Sequence, residues 1–219
     1  MIDKMIAKAR VAQAEYAKFS QEQVDEIVRS IGKVIYDNAE ELARNAVEET
    51  RMGNFEDKLA KNRGKSRAIW NSLKGKRSIG VIEDKCENGI VKVAKPVGVV
   101  GAVTPTTNPV VTPMCNAMFA LKGGNAIIVA PHPRAKNCSA QAVDLMNGEI
   151  KRLGGPDNLI QCITEPSITA TNELMQKVDV LVATGGPAMV TAAYSSGKPS
   201  FGVGPGNVQV IIDTDVDYD

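Results

Sequence analysis

Residues 97–130 read VGVVGAVTPTTNPVVTPMCNAMFALKGGNAIIVA, and this stretch decides the fold. It begins with an apolar run at 97–103 and ends with a second apolar run at 126–130. A loop rich in threonine and proline and a helical stretch from about residue 109 to residue 121 separate the two runs. Strands that are apolar on both faces and are joined by a helix are typical of a parallel sheet covered on both sides.

The same alternation of apolar strands and helical stretches continues along the chain. Further strands are predicted at 159–163, 178–183 and 208–212, and further helices at 139–153, 169–175 and 189–194. Strands that alternate with helices in this way predict an α/β fold with a doubly wound parallel sheet.

The sequence that precedes this core predicts helices. Apolar residues recur at three- and four-residue steps through residues 1–75, as they do on the buried face of an amphipathic helix. Ser20 and Gln23 have the spacing of a capping box, which predicts that the second helix begins there.

A β-ribbon is predicted between the helices and the core. Residues 79–94 contain two short β-type runs on either side of Glu87-Asn88-Gly89, whose Asn-Gly step favours a tight turn. We therefore divide the chain into a helical part at 1–75, a β-ribbon at 76–96 and a Rossmann-like core at 97–219.

Composition excludes several classes of function. The 219 residues include 26 Lys and Arg and 25 Asp and Glu, a net charge of +1, so neither nucleic acid nor a membrane is an expected partner. Only 4% of the residues are aromatic, which disfavours base-stacking surfaces.

One histidine and four cysteines without a CxxC pair predict no metal site. No apolar run reaches the about 18 residues of a membrane span, and we expect a reduced, cytoplasmic protein.

Ligands of doubly wound sheets bind where loops leave the carboxyl ends of the strands. The loops of this chain contain glycine, proline and small polar residues, and residues 164–167, which follow the third parallel strand, are one of them. We expect these loops to meet at one edge of the sheet. The candidate cofactor-binding residues are Thr104, Pro105, Thr106, Thr107, Ala130, Pro131, His132, Pro133, Thr184, Gly185, Gly186, Val203 and Gly204, and the candidate catalytic residue is Asn108.

The residue types alone leave two interpretations at several of these positions. Gly185 and Gly186 lie between a strand and a helix, where they can admit a phosphate to helix N–H groups or form only a turn. The Asn108 amide can donate to a developing oxyanion or close an Asx turn. His132 can contact a ligand or cap a local turn. The sequence has neither a P-loop nor a GxGxxG motif that opens a helix.

From residue 93 onward the sequence resembles the aldehyde dehydrogenase superfamily, and within it the CoA-acylating branch. The motifs that carry the resemblance are VAKPVGVVGAVTPTTNP, NAIIVAPHPRAK, ATGGPAMV and SFGVGPGNVQVIID. The resemblance implies a variant Rossmann domain that binds NAD or NADP, with Gly185 and Gly186 at the pyrophosphate and Asn108 at the oxyanion. It also implies a homodimer or homotetramer, with the β-ribbon in the oligomerisation region.

Departures from the hydrolytic members of the superfamily bear on the reaction. Their ribose-binding lysine is replaced by Ala130, and their glutamate base is replaced by Gly202. Without a base to activate water, the acyl group is left for a thiol, so coenzyme A is the expected acceptor. The resemblance places the nucleophilic cysteine in a domain after Asp219, so we expect that the catalytic domain is absent here and that this fragment is inactive alone.

The resemblance therefore implies an oxidoreductase that converts an aldehyde, CoA and NAD(P)+ into an acyl-CoA and NAD(P)H. The expected substrate is succinate semialdehyde or sulfoacetaldehyde. Two alternatives stay open: the front module of a bifunctional aldehyde-alcohol dehydrogenase, and a non-catalytic module that binds a nucleotide or CoA.

Overall fold

The structure is a computed structural model that describes residues 1–85, 89–206 and 208–214. Four helices come first, and a two-stranded ribbon and an alternation of strands and helices follow. The helices are α1 (Ile2–Tyr16), α2 (Gln21–Asp37), α3 (Ala39–Thr50), α4 (Phe55–Leu73), α5 (Val111–Lys122), α6 (Lys136–Arg152), α7 (Ile168–Lys177) and α8 (Pro187–Tyr194). The strands are β1 (Gly80–Lys85), β2 (Ile90–Ala94), β3 (Val99–Thr104), β4 (Ala126–Pro131), β5 (Ile160–Cys162), β6 (Val180–Thr184) and β7 (Ser200–Val203).

Side-chain caps fix where two of the first helices begin. The Ser20 hydroxyl accepts a hydrogen bond from the Gln23 N–H at 3.3 Å, and the Gln23 side chain accepts one from the Ser20 N–H at 2.9 Å. The predicted capping box at the start of α2 is therefore confirmed. Asn54 starts α4 in a similar way, because its side-chain oxygen accepts a hydrogen bond from the Asp57 N–H at 2.8 Å.

The doubly wound parallel sheet is confirmed. Five parallel strands lie in the order β5-β4-β3-β6-β7, so the strand order reverses on the two sides of β3. Every residue of β3 and β4 is buried, which agrees with their apolar sequences. Helices α1 and α7 pack against each other, as do α5 and α6, and α2 lies against α5 and α6. Residues of α1 and α2 share one hydrophobic core with the sheet.

The ribbon forms as predicted within the described residues. Strands β1 and β2 pair in antiparallel fashion, with an irregularity in register between Val81 and Glu83. Glu87 and Asn88 of the predicted turn lie outside the described residues. The side chains of Val81, Ile90 and Val91 are exposed, so the ribbon presents apolar surface.

The strand predicted at 208–212 is wrong. Residues 208–214 contain neither helix nor strand, and Val208 and Ile211 are 87% and 96% exposed. The last strand of the sheet is instead β7, which pairs with β6 from Ser200 onward. A β-branched apolar run favours an extended chain, but a strand forms only where a neighbouring edge accepts its hydrogen bonds, and β7 already takes the edge of β6.

Asp179 joins α1, β3 and β6 at the amino edge of the sheet. Its carboxylate accepts hydrogen bonds from both terminal nitrogens of Arg10, at 2.9 and 3.0 Å, and from the Val99 N–H at 2.8 Å. Burial acts to raise the pKa of Asp179, but the hydrogen bonds from Arg10 and Val99 outweigh it and lower the pKa. A Cβ at Gly98, where φ is +120°, would lie 2.3 Å from the carboxylate, so only glycine fits beside it.

We expect Asp179→Ala to lower the free energy of unfolding by about 1–3 kcal/mol, because the Val99 N–H and the Arg10 guanidinium both lose a charged acceptor. Urea unfolding measures the loss. Asp3→Ala is the matched control: it also removes an aspartate paired with a basic side chain, but that pair is exposed, so a much smaller loss is expected.

The effect of Asp179→Ala is also expected to depend on pH. Since the folded pKa of Asp179 is lowered, its contribution is present at neutral pH and is lost as the pH falls below about 4. A difference between the variant and the parent that stays constant from about pH 7 to pH 3 would contradict this role.

Candidate functional site

A cleft of about 340 Å³ opens at the carboxyl ends of β3, β4 and β6. It lies at the point where the strand order reverses, which is the position expected for a ligand in this type of sheet. Larger clefts elsewhere run along helix surfaces and contain none of the predicted site residues. The cleft is lined by Val103, Thr104, Pro105, Ala130, Pro131, His132, Pro133, Pro166, Ser167, Ile168, Thr171, Thr184, Gly185, Gly186 and Met189.

Most of the candidate residues from three loops therefore meet at one place. The loops after β3, β4 and β6 all contribute, and the loop after β5 adds Pro166 and Ser167. Sequence reasoning noted that loop by its position but missed Ile168 and Thr171, since both belong to α7 and have no distinctive motif. Ile168 is 78% exposed, which is unusual for an isoleucine and places apolar surface at the rim of the cleft.

Thr104 provides an unpaired polar group in the cleft. The residue is buried at the end of β3, and its hydroxyl oxygen has no hydrogen-bond partner among the described residues. Buried polar atoms are nearly always paired with protein or water. The Thr104 hydroxyl oxygen is therefore a buried, unpaired polar atom in a residue that lines the cleft.

Gly186 leaves open space at the start of α8. It is the N-cap residue, no side chain caps the helix, and its φ of −68° is accessible to any residue. A Cβ built on Gly186 meets no atom within 4 Å, whereas one on Gly185 would contact Met189 at 3.5 Å. The Gly185 N–H donates to the Val203 carbonyl at 3.2 Å, so Gly185 extends the β6–β7 pairing. The space in front of the α8 N-terminus is therefore open at Gly186.

His132 both caps a turn and borders the cleft. Its Nδ1 accepts a hydrogen bond from the Arg134 N–H at 3.1 Å, at the start of a short 3-10 turn. Partial burial, together with the charge of Arg134, lowers the pKa of His132, so the ring is neutral at pH 7. The backbone N–H of His132 donates to the Thr104 carbonyl at 3.2 Å, and this bond connects the loops after β3 and β4.

Asn108 lies outside the lining of the cleft, on the loop between β3 and α5. Its side-chain oxygen accepts a hydrogen bond from Lys61 Nζ at 3.1 Å, and its side-chain nitrogen is 3.3 Å from Thr107 Oγ1. Lys58 Nζ donates to the Thr107 carbonyl. Sequence reasoning missed both lysines, because α4 precedes the loop by more than 30 residues and no motif links the two segments.

The remaining candidates also lie outside the lining. On the loop after β3, Thr106 is buried and Thr107 is exposed. Val203 pairs with Thr184 at the end of β7 and is 58% exposed, and Gly204 follows it. Their proposed contact with a cofactor therefore depends on a ligand that extends beyond the cleft.

The cysteines of the described chain do not have the properties of a nucleophile. Burial raises the pKa of Cys115 to about 11 and that of Cys162 to about 12. Burial and the neighbouring Glu49 carboxylate raise the pKa of Cys138 as well. All three thiols stay protonated at neutral pH, and none lines the cleft. Cys86 lies outside the described residues.

The profile of the aldehyde dehydrogenase family matches residues 1–219. The chain belongs to this family. The succinate-semialdehyde dehydrogenase (acetylating) of Clostridium kluyveri is 59% identical over 217 residues, which are 99% of this chain and 48% of that protein. The sulfoacetaldehyde dehydrogenase of an Acholeplasma species is 49% identical over 219 residues, 99% of this chain and 45% of that protein. The chain spans about half the length of these curated relatives.

Solved structures of the aldehyde dehydrogenase family have the same fold. An acetylating aldehyde dehydrogenase from Geobacillus thermoglucosidasius matches with a TM-score of 0.92 and 44% identity, over 94% of this chain and 46% of that one. A propionaldehyde dehydrogenase from Rhodopseudomonas palustris, with bound CoA and an acylated cysteine, matches with a TM-score of 0.81 and 38% identity, over 94% of this chain and 47% of that one. An engineered glycolyl-CoA reductase with bound NADP+ matches with a TM-score of 0.81 and 37% identity, over 94% of this chain and 47% of that one.

For this member of the aldehyde dehydrogenase family, Gly202 has a packing role. A Cβ on Gly202 would lie 2.7 Å from a methyl of Val190 and 2.8 Å from the ring of Tyr194. The Tyr194 hydroxyl also accepts a hydrogen bond from the Gly202 N–H at 3.2 Å. A carboxylate side chain at this position would displace α8, so the missing side chain lets α8 pack closely on β7.

The described residues contain neither a bilayer-spanning helix nor a cluster of metal ligands. In residues 1–85, 89–206 and 208–214, none of the helices combines the length and the apolar composition that a bilayer span needs. The same residues contain no group of three or more His, Cys, Asp or Glu side chains placed to hold a metal ion.

The thiol pKa values predict slow alkylation. In the folded chain at about pH 7.5, iodoacetamide should modify Cys115 roughly a hundredfold and Cys162 roughly a thousandfold more slowly than in the urea-unfolded chain, since only thiolates react. Peptide mass spectrometry resolves each site, and the rate at Cys115 should keep rising as the pH approaches 11. Equal rates in the folded and unfolded chains would contradict the raised pKa values of these thiols.

Proposed function

We propose that this chain forms the NAD(P)-binding part of a CoA-acylating aldehyde dehydrogenase. The complete reaction converts an aldehyde, CoA and NAD(P)+ into an acyl-CoA, NAD(P)H and a proton. The cleft at the strand reversal carries the proposal, because it combines an open helix N-terminus at Gly186 with the unpaired Thr104 hydroxyl. The names of the relatives, which include acetylating and CoA-bound enzymes, support the acylating reaction.

The described residues fit a dinucleotide. Helix α8 begins at Pro187, which has no N–H, and the Met189 N–H donates to the Gly186 carbonyl at 3.0 Å. The Ala188 N–H and the helix dipole therefore favour a pyrophosphate beside Gly186, where no side chain intervenes. The Thr104 hydroxyl can donate to a ligand oxygen. Pro105, Pro131 and Pro133 form stiff apolar walls that lose little entropy when a ligand packs on them. When bound, the nicotinamide supplies the hydride acceptor. NADP+ is bound by one matched structure, and the proposal includes both NAD and NADP.

Asn108 is proposed to stabilise the oxygen of the reacting aldehyde. When a thiolate adds to the carbonyl carbon, the π electrons move to oxygen, and the Asn108 NH2 group can donate to the resulting oxyanion. Loss of hydride then leaves a thioester, and the CoA thiol displaces the enzyme thiol. The attacking thiolate is proposed to come from outside the described residues, since burial raises the pKa of Cys115 and Cys162, so the 219 residues alone should be inactive.

The substrate is proposed to be a small aldehyde such as succinate semialdehyde or sulfoacetaldehyde. Both names occur among the relatives with 49% identity or more. The β-ribbon is proposed to mediate a homodimer or homotetramer, because Val81, Ile90 and Val91 expose apolar surface there.

The dinucleotide site is tested by Gly186→Val. The substituted side chain stands in open space and the backbone needs no rearrangement, so the melting temperature should stay within about 2 °C of the parent while NADP+ binding weakens at least about tenfold. Calorimetry with NADP+ and, separately, with CoA measures the binding.

Gly148→Val is the matched control for Gly186→Val. Gly148 is exposed on α6, and a Cβ there also meets no atom within 4 Å, so the same bulk is added away from the cleft. Equal NADP+ affinity in the Gly186→Val variant and the parent would mean that the turn does not hold the pyrophosphate.

The oxyanion role is tested by Asn108→Ala in the full-length gene product that contains this chain. We expect kcat for CoA-dependent NAD(P)H formation to fall roughly a hundredfold, the usual loss for one oxyanion donor. The KM for NADP+ should change little, because Asn108 does not line the cleft. A variant with unchanged kcat would remove Asn108 from the mechanism.

A further inference from the structure

Helix α4 reaches the Asn108 loop with two lysines from successive turns. Lys58 is buried, and its ammonium donates to the Thr107 carbonyl. Lys61, one turn later, is exposed, and its ammonium donates to the Asn108 side-chain oxygen at 3.1 Å. Helix α4 thus holds the loop through the backbone carbonyl of Thr107 and through the side-chain amide of Asn108.

The lysine contact decides which end of the Asn108 amide faces α4. An amide presents an oxygen that accepts and an NH2 group that donates, and the two ends have nearly the same shape. An ammonium only donates, so the amide oxygen must face Lys61. The opposite flip would set two donors against each other. The NH2 group therefore points away from Lys61, and its nitrogen lies 3.3 Å from Thr107 Oγ1, which is a long contact.

We propose that Lys61 is a positioning residue for Asn108, which fixes the amide with its NH2 group toward the substrate oxygen and strengthens that group as a donor. The proposal rests on the oxyanion role proposed for Asn108. A positive charge on the amide oxygen draws electron density from the nitrogen, and coupled hydrogen bonds of this kind reinforce one another.

Two observations distinguish this contact from an incidental surface hydrogen bond. Lys58 and Lys61 bring two ammonium groups together, and burial of Lys58 together with the Lys61 charge lowers the pKa of Lys58. Like charges at this spacing on a helix repel. Lys58 donates to Thr107 and Lys61 donates to Asn108, which are adjacent residues of the loop. These two hydrogen bonds offset the repulsion between the two ammonium groups, and they do so at the loop that carries the proposed oxyanion donor.

Kinetics of four variants in the full-length gene product test the proposal. Lys61→Met should lower kcat for NADPH formation about threefold to tenfold, with the KM for NADP+ unchanged, and Lys61→Arg should recover most of the loss because a guanidinium also only donates. In the Asn108→Ala background Lys61→Met should have no further effect, since its acceptor is gone. Lys65→Met is the charge control, because it removes an equal charge from the same helix and should leave kcat within about twofold.

The outcomes separate this proposal from the proposed function. Equal losses from Lys61→Met in the parent and Asn108→Ala backgrounds, or an equal loss from Lys65→Met, would overturn the positioning role. If Asn108→Ala itself leaves kcat unchanged, the oxyanion role fails, whereas the amide orientation is still tested by a second measurement.

Nuclear magnetic resonance of the 219-residue chain supplies that measurement. The side-chain NH2 signals of Asn108 are assigned by their loss in Asn108→Ala. Lys61→Met should shift these signals or broaden them as the amide samples both flips, and Lys61→Arg should largely restore the parent positions. Unchanged Asn108 signals in Lys61→Met would overturn the proposal whatever the kinetics show.

Discussion

The central strand β3 is the constraint on which the rest of the structure depends. It pairs with β4 on one side and with β6 on the other, and all its residues are buried. The chain leaves β3 through α5 toward β4 and β5, and it later returns to the other side of β3 as β6. The loops after β3, β4 and β6 diverge at the carboxyl edge, and the candidate cleft is the space between them.

The two edges of the sheet differ in how completely their polar groups are paired. At the amino edge the Asp179 carboxylate is saturated by Arg10 and the Val99 N–H, which fixes the strand ends relative to α1. At the carboxyl edge the Thr104 hydroxyl is buried without a partner, and Gly186 borders open space. A structural joint needs its hydrogen bonds made within the protein, whereas a binding edge leaves some of them for a ligand.

Three glycines near the sheet differ in what a Cβ would meet at each position. At Gly98 a Cβ would collide with the Asp179 carboxylate, and the φ of +120° is itself unfavourable for other residues. At Gly202 a Cβ would collide with Val190 and Tyr194 of α8. At Gly186 a Cβ would meet no atom within 4 Å, which leaves room for the proposed pyrophosphate. The same residue type thus has different surroundings at strand entry, at the packing of α8 and at the rim of the cleft.

The sequence by itself determined the features that depend on neighbours along the chain. The Ser20–Gln23 cap, the buried strands around β3 and the loops that line the cleft all follow from local spacing and strand polarity. The strand predicted at 208–212 fails because strand formation needs a partner edge, which a local pattern cannot supply. Only the tertiary structure decided that Lys61 meets Asn108, since the two residues are 47 positions apart and a contact between distant side chains leaves no periodic trace in the sequence.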